Sequence, residues 1–179
     1  MARLPYFKDI PPDKRLGRAP NLVRTLMNSP GAEDAMTHMV RFLRTRSRLD
    51  KRLCELAILQ VGWLARSPYE FAHHVEVALQ VGATREDIRA IGEETKGNKT
   101  HLDELTRAVL RAAREMTLKT DLSDETFAVL RKSLDDEKIL DLVYAIASYN
   151  GVVRLLSALR IEVEDDCKKY LEEFPFTPA

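Results

Sequence analysis

The sequence predicts an all-α fold built as a single helical bundle, on three observations. From Asn21 onward apolar residues recur at helical spacing. The breaks between these segments carry helix caps and Gly or Pro punctuation. The alternating Val, Ile and Thr runs that mark strands are missing. At 179 residues and 45% hydrophobic content, the chain suits one domain with one sizeable core.

Taken in order, residues 1–19 contain Pro5, Pro11 and Pro12, and Pro20 follows directly. Each proline fixes φ and removes a backbone donor, so residues 1–19 read as an extended arm and residues 20–179 as the helical domain. Helices are expected over 20–28, 32–46, 50–65, 68–81, 85–93, 101–117, 124–133 and 136–160, with a short tail helix beyond. The third, LDKRLCELAILQVGWLAR, sets Leu53, Leu56, Ala57, Ile58, Leu59, Val61 and Trp63 so densely that its second half is apolar nearly all round. Such a helix belongs at the centre of the bundle. The fourth opens on Ser67 as N-cap, Pro68 at the first helical position and Glu70 at the third, and Gly82 closes it. Thr84 with Asp87, Thr100 with Asp103, and Ser123 with Asp124 and Glu125 mark later starts. The last long segment, KILDLVYAIASYNGVVRLLSALRIE, is again apolar for more than twenty residues, with Tyr149, Asn150 and Gly151 as polar or small positions within that run. Two helices this apolar imply that another copy of the chain covers part of the surface.

Twenty-eight basic residues balance twenty-eight acidic ones, so no global field draws the chain to nucleic acid or to a membrane surface. The local excess of Arg41, Arg44, Arg46, Arg48, Lys51 and Arg52, relieved by Asp50, reads as a solvated helix face and loop. No apolar run reaches the roughly 18 residues of a membrane span, and MARLPYFKDIPPDKR lacks the apolar stretch of a signal peptide, so a cytoplasmic protein is expected. Cys54 and Cys167 sit in no C-x-x-C or metal-ligand spacing.

Chemistry concentrates in SPYEFAHHVEVALQVGAT, residues 67–84. Glu70 and His74 are four apart and share a helix face, with His73 turned by about 100°. Two imidazoles and a carboxylate there can move protons near neutral pH. Glu70 has a competing role, since a capping-box glutamate reaches back to the N-cap amide. Glu55 lies in an apolar part of the third helix, where a carboxylate must be paired, either in a salt bridge to Arg52 or in a site where desolvation makes it an acid-base group. Ser67, Tyr69, Trp63, Tyr149 and Asn150 are the substrate-binding candidates, with Phe71 a further possible pocket wall. Glu70-x-x-His73 has the spacing of di-iron bundles, but such sites need two copies of the motif and His101-x-x-Glu104 runs in the opposite order. No metal or cofactor is therefore expected, a mononuclear site of Glu55, Glu70 and a histidine being the alternative.

The segment ELAILQVGWLARSPYEFAHHVEVALQVGATREDIRAI resembles the core two-helix signature of the carboxymuconolactone decarboxylase superfamily, which also contains the alkyl hydroperoxidase D proteins. The resemblance extends more loosely to RFLRTRSRLDKRLCE and LVYAIASYNGVVRLLSALRIE. It implies an all-α fold and assembly as trimers or hexamers. The hydroperoxidase branch is similar at Glu55 and His74, but its C-x-x-C cysteines fall where this chain has Ser67 and Glu70. Neither can replace a thiol redox couple, so a disulfide-cycling peroxidase is disfavoured. The decarboxylase branch is similar through Pro68, Glu70 and His74, while Glu55 sides with the hydroperoxidases. The resemblance implies a cofactor-independent lyase acting on a small carboxylate or lactone. His74 would move the proton, Glu70 and Glu55 would set its protonation state, and His73 would stand beside them. The alternatives are a non-catalytic ligand-binding oligomer and the metal-dependent enzyme above.

Overall fold

A computed structural model describes residues 1–8, 10 and 20–175. Among them it contains α1 (Asn21–Leu26), α2 (Pro30–Thr45), α3 (Lys51–Leu64), α4 (Pro68–Gln80), α5 (Arg85–Thr95), α6 (Glu104–Lys119), α7 (Asp124–Arg131), α8 (Asp136–Leu159) and α9 (Asp165–Glu173), with no strand among the described residues. Every expected helix is present, and α9 is the tail helix. Of the expected arm, residues 1–8 form no helix. The Arg3 amide donates to the Leu159 carbonyl and the Phe7 amide to that of Arg24, so this stretch lies over α1 and the end of α8. Residues 9 and 11–19, which include Pro11 and Pro12, fall outside the described residues.

The unbroken apolar character of α3 has the expected result: Leu53 to Trp63 are all buried. The helix separates two cores. One gathers Ile58, Val109, Leu130, Leu142 and Ile146 from α3, α6, α7 and α8. The other gathers Leu56, Leu59, Phe71, Val75, Ile88 and Ile91 from α3, α4 and α5. The short link Ala65–Ser67, turned by Arg66 in the left-handed region (φ 52°), makes α3 and α4 antiparallel neighbours. They approach closely at Gly62, where a Cβ would stand 3.3 Å from the Phe71 backbone nitrogen and 3.4 Å from Glu70 Cβ. This register brings Glu55, two turns before Gly62 on α3, against His74, one turn after Glu70 on α4.

Two local expectations change. The α6 N-cap is Asp103, whose side chain accepts from the Thr106 amide, and not Thr100. The helix α8 runs through Tyr149–Gly151 for 24 residues, in line with the expected span 136–160. Asn150 is accommodated because its amide donates to the Ile146 carbonyl of the preceding turn (3.1 Å) and to Thr117 Oγ1 on α6 (3.0 Å). Unbroken, α8 is long and apolar enough to cross a membrane by length and composition, contrary to the expectation from apolar runs. Half of its most apolar window is buried inside the bundle, as in a core helix.

Candidate active site

The centre of the candidate site is His74, held between two carboxylates. Its Nδ1 donates to Glu55 Oε2 at 2.6 Å, and its Nε2 stands 2.8 Å from Glu70 Oε1. All three residues are buried. The Nε2 contact brings opposite charges together without hydrogen-bond alignment. Glu70 Oε1 is shut off from solvent, so this contact with the imidazole is what offsets its buried charge. Burial alone would drive the His74 proton off, but the Glu70 and Glu55 charges outweigh it and raise the imidazole pKa from 6.5 to about 10. His74 is an imidazolium at neutral pH. The Tyr149 ring meets it edge-on at 4.9 Å and 84°. Burial, reinforced by Glu70 and Glu55, raises the Tyr149 phenol well above its usual range, so it stays a neutral donor.

His74, Glu70 and Tyr149 line a cavity of about 510 Å³. Its apolar wall comes from α1 and α2 through Leu22, Val23, Met36, Met39 and Val40. The exposed Arg44 also lines it. A second cavity of about 270 Å³ shares Arg44, Tyr149, Val77 and Gln80, and it is there that Glu55 and Cys54 appear. Burial pushes the Cys54 thiol up to about 12, which leaves it a protonated, unreactive group. Neither cysteine is in a disulfide.

The structure brings together only some of the predicted site residues. Tyr69 and His73 line the larger cavity, but both are engaged elsewhere: His73 Nε2 donates to Glu164 Oε2 at 2.5 Å, and the Tyr69 hydroxyl donates to Glu164 Oε1 at 3.2 Å and accepts from the Leu22 amide. Ser67 is the α4 N-cap, bonded to the Glu70 amide, and does not line the cavity. Trp63 belongs to the α3–α4–α5 core, packed on Phe71 at 5.6 Å and on Gly92, and lines a different cavity with Phe174. Asn150 is absorbed by α6, α8 and Arg154. The capping box expected of Glu70 does not form: the Ser67 amide donates to the Gly62 carbonyl, which leaves the Glu70 carboxylate to His74. Nor does Arg52 pair with Glu55. It reaches Asp87 on α5 at 3.0 Å instead. Glu55 and Glu70 face opposite nitrogens of one ring, so a single ion cannot be ligated by both together with His74. Arg44 and Glu164 were not among the predicted site residues. Arg44 sat unmarked among other arginines, and nothing local to Glu164 signals that it meets α4.

Residues 30–95 match the carboxymuconolactone decarboxylase family. No curated protein matches the chain. Among solved structures, an uncharacterized peroxidase-related protein from Silicibacter sp. is 20% identical with a TM-score of 0.77, covering 91% of each chain. The alkylhydroperoxidase AhpD core of a peroxidase-related protein from Ralstonia eutropha is 17% identical with a TM-score of 0.80, covering 99% of this chain and 98% of that one. The debrominase Bmp8, in complex with 2,3,4-tribromopyrrole, is 20% identical with a TM-score of 0.79, covering 90% and 86%. The chain thus carries a carboxymuconolactone decarboxylase family segment over residues 30–95 within an AhpD-like helical fold, and it has no redox C-x-x-C pair.

Proposed function

We propose that this protein is a cofactor-independent lyase for a small carboxylate- or lactone-bearing molecule, with His74 as the acid. The observation that carries the reading is the placement of a carboxylate on each nitrogen of His74, which keeps the ring charged at neutral pH. Of its two protons, the one on Nδ1 is committed to Glu55. The one on Nε2 faces Glu70 Oε1 at 2.8 Å and would be drawn from that contact toward a substrate in the cavity that His74 lines.

In this reading the substrate carboxylate leaves as CO2, and the electron pair of the broken C–C bond stays on carbon, delocalised toward a neighbouring carbonyl. The Nε2 proton then moves to that carbon, and solvent returns a proton to the ring, so that one proton is consumed per CO2 released. The Tyr149 hydroxyl, which lines the cavity beside His74 and stays protonated, donates to the oxygen on which charge develops. The small ring bound by the similar Bmp8 supports a substrate of that size. Cytoplasmic placement is supported by two cysteines that form no disulfide. Trimeric or hexameric assembly is supported by the exposed Leu140 and Tyr144 on α8.

The test is to incubate candidate lactones and carboxylates with the protein and follow products by mass spectrometry. A substrate should emerge whose turnover falls at least 100-fold in His74→Ala while helicity is unchanged. Full activity in that variant would refute the role of His74. Stable binding without chemical change would favour the ligand-binding oligomer.

A further inference from the structure

We propose that His73, Glu164 and Cys167 form a binding site for a divalent transition metal of the zinc class, which clamps α9 onto α4. Its donors are not those of the His74 centre, although His73 lines the same cavity, and the proposal does not depend on the lyase reading.

One ligand atom from each of the three residues lies within 4.8 Å of the other two. Zinc bonds of about 2.0–2.3 Å in a tetrahedral shell place ligand atoms about 3.3–3.7 Å apart. Side-chain shifts of about 1 Å would therefore complete three of the four positions. The donors are an imidazole nitrogen, a carboxylate oxygen and a sulfur, a set that selects zinc or cobalt over magnesium or calcium. The carboxylate and a thiolate together balance a divalent charge. Such balance matters because Cys167 is fully buried and the His73 and Glu164 side chains are 15% and 18% exposed.

The residues around these donors are arranged as a supporting shell. Glu164 Oε1 accepts from the Asn21 amide at 2.5 Å and from the Tyr69 hydroxyl at 3.2 Å, which turns Oε2 toward His73. The His73 ring is stacked on Tyr69 at 4.3 Å and 22°, which fixes its plane. Outer contacts of this kind orient first ligands in known metal sites. The donors come from positions 73 and 164–167, so one ion would tie the tail helix and the start of α1 to the helix that carries His74.

The experiment uses the full chain without a histidine tag, stripped by chelator and titrated with Co²⁺. One equivalent should produce a thiolate-to-cobalt charge-transfer band that Zn²⁺ then bleaches, and Zn²⁺ should raise the thermal midpoint. The band should vanish in Cys167→Ser, and Co²⁺ affinity should fall about 10- to 100-fold in His73→Gln. His74→Gln should retain the band. Failure of the wild-type chain to develop the band overturns the proposal. So does weak cobalt absorption without a thiolate contribution, or a band that survives in either Cys167→Ser or His73→Gln, each of which can be checked for folding by circular dichroism.

Discussion

His74 and Glu70 could be paired from the sequence because four-residue spacing needs only a helix to become a contact, and the structure has them 2.8 Å apart. The sequence also marked Glu55 as a carboxylate in need of a partner, by the cost of burying it. Its partner was less legible, because the nearby Arg52 points to α5 while His74, 19 residues away, arrives only through the α3–α4 hairpin. Glu164 was invisible, since 91 residues separate it from His73 and no local pattern joins them. At this scale the two carboxylates can be separated by mutation. Removing either charge, in Glu55→Gln or Glu70→Gln, should lower the His74 pKa and move the alkaline limb of activity to lower pH by about one unit or more. Glu55→Gln should also free Nδ1 and loosen the ring, which an NMR comparison of the two variants would reveal.

Among the elements, α3 and α4 set the site, and Gly62 sets their spacing. Replacing Gly62 by Ala would put a methyl 3.3 Å from the Phe71 nitrogen and 3.4 Å from Glu70 Cβ. The helices must then part by a few tenths of an ångström. We expect a loss of about 1–3 kcal/mol in denaturant unfolding and a weaker Glu70–His74 contact. Helix existence and order were readable throughout, because amphipathic spacing and caps are local. The register of α6 was not, since Thr100 and Asp103 both cap well and only the packed structure chooses between them. Asp103→Ala should cost about 1 kcal/mol, measured the same way. Asn150 sits inside α8 without breaking it, because a carbonyl one turn back and Thr117 on α6 meet its side-chain amide.

For the whole molecule, the His74 centre makes stability depend on pH. In the fold the imidazole keeps its proton up to about pH 10, whereas in the unfolded chain it does so only to about 6.5. Its contribution to stability is therefore complete below about pH 6.5, shrinks as pH rises and is gone above about 10. The thermal midpoint should decline across that window, and His74→Gln should remove that part of the decline. The exposed α8 residues Leu140 and Tyr144 give a second test at this scale. If they lie between copies, Leu140→Glu with Tyr144→Glu should reduce the mass in light scattering to that of a monomer without loss of helicity.

The account rests on a doubly flanked, protonated His74, and that can be measured without knowing the substrate. An NMR titration of imidazole-labelled protein, with His74 assigned by its absence in His74→Gln, reports the charge on the ring directly. The account predicts that both ring nitrogens remain protonated at pH 8 and that the ring loses its proton only near pH 10. A neutral ring at pH 8, titrating at or below the ordinary value of 6.5, would contradict it.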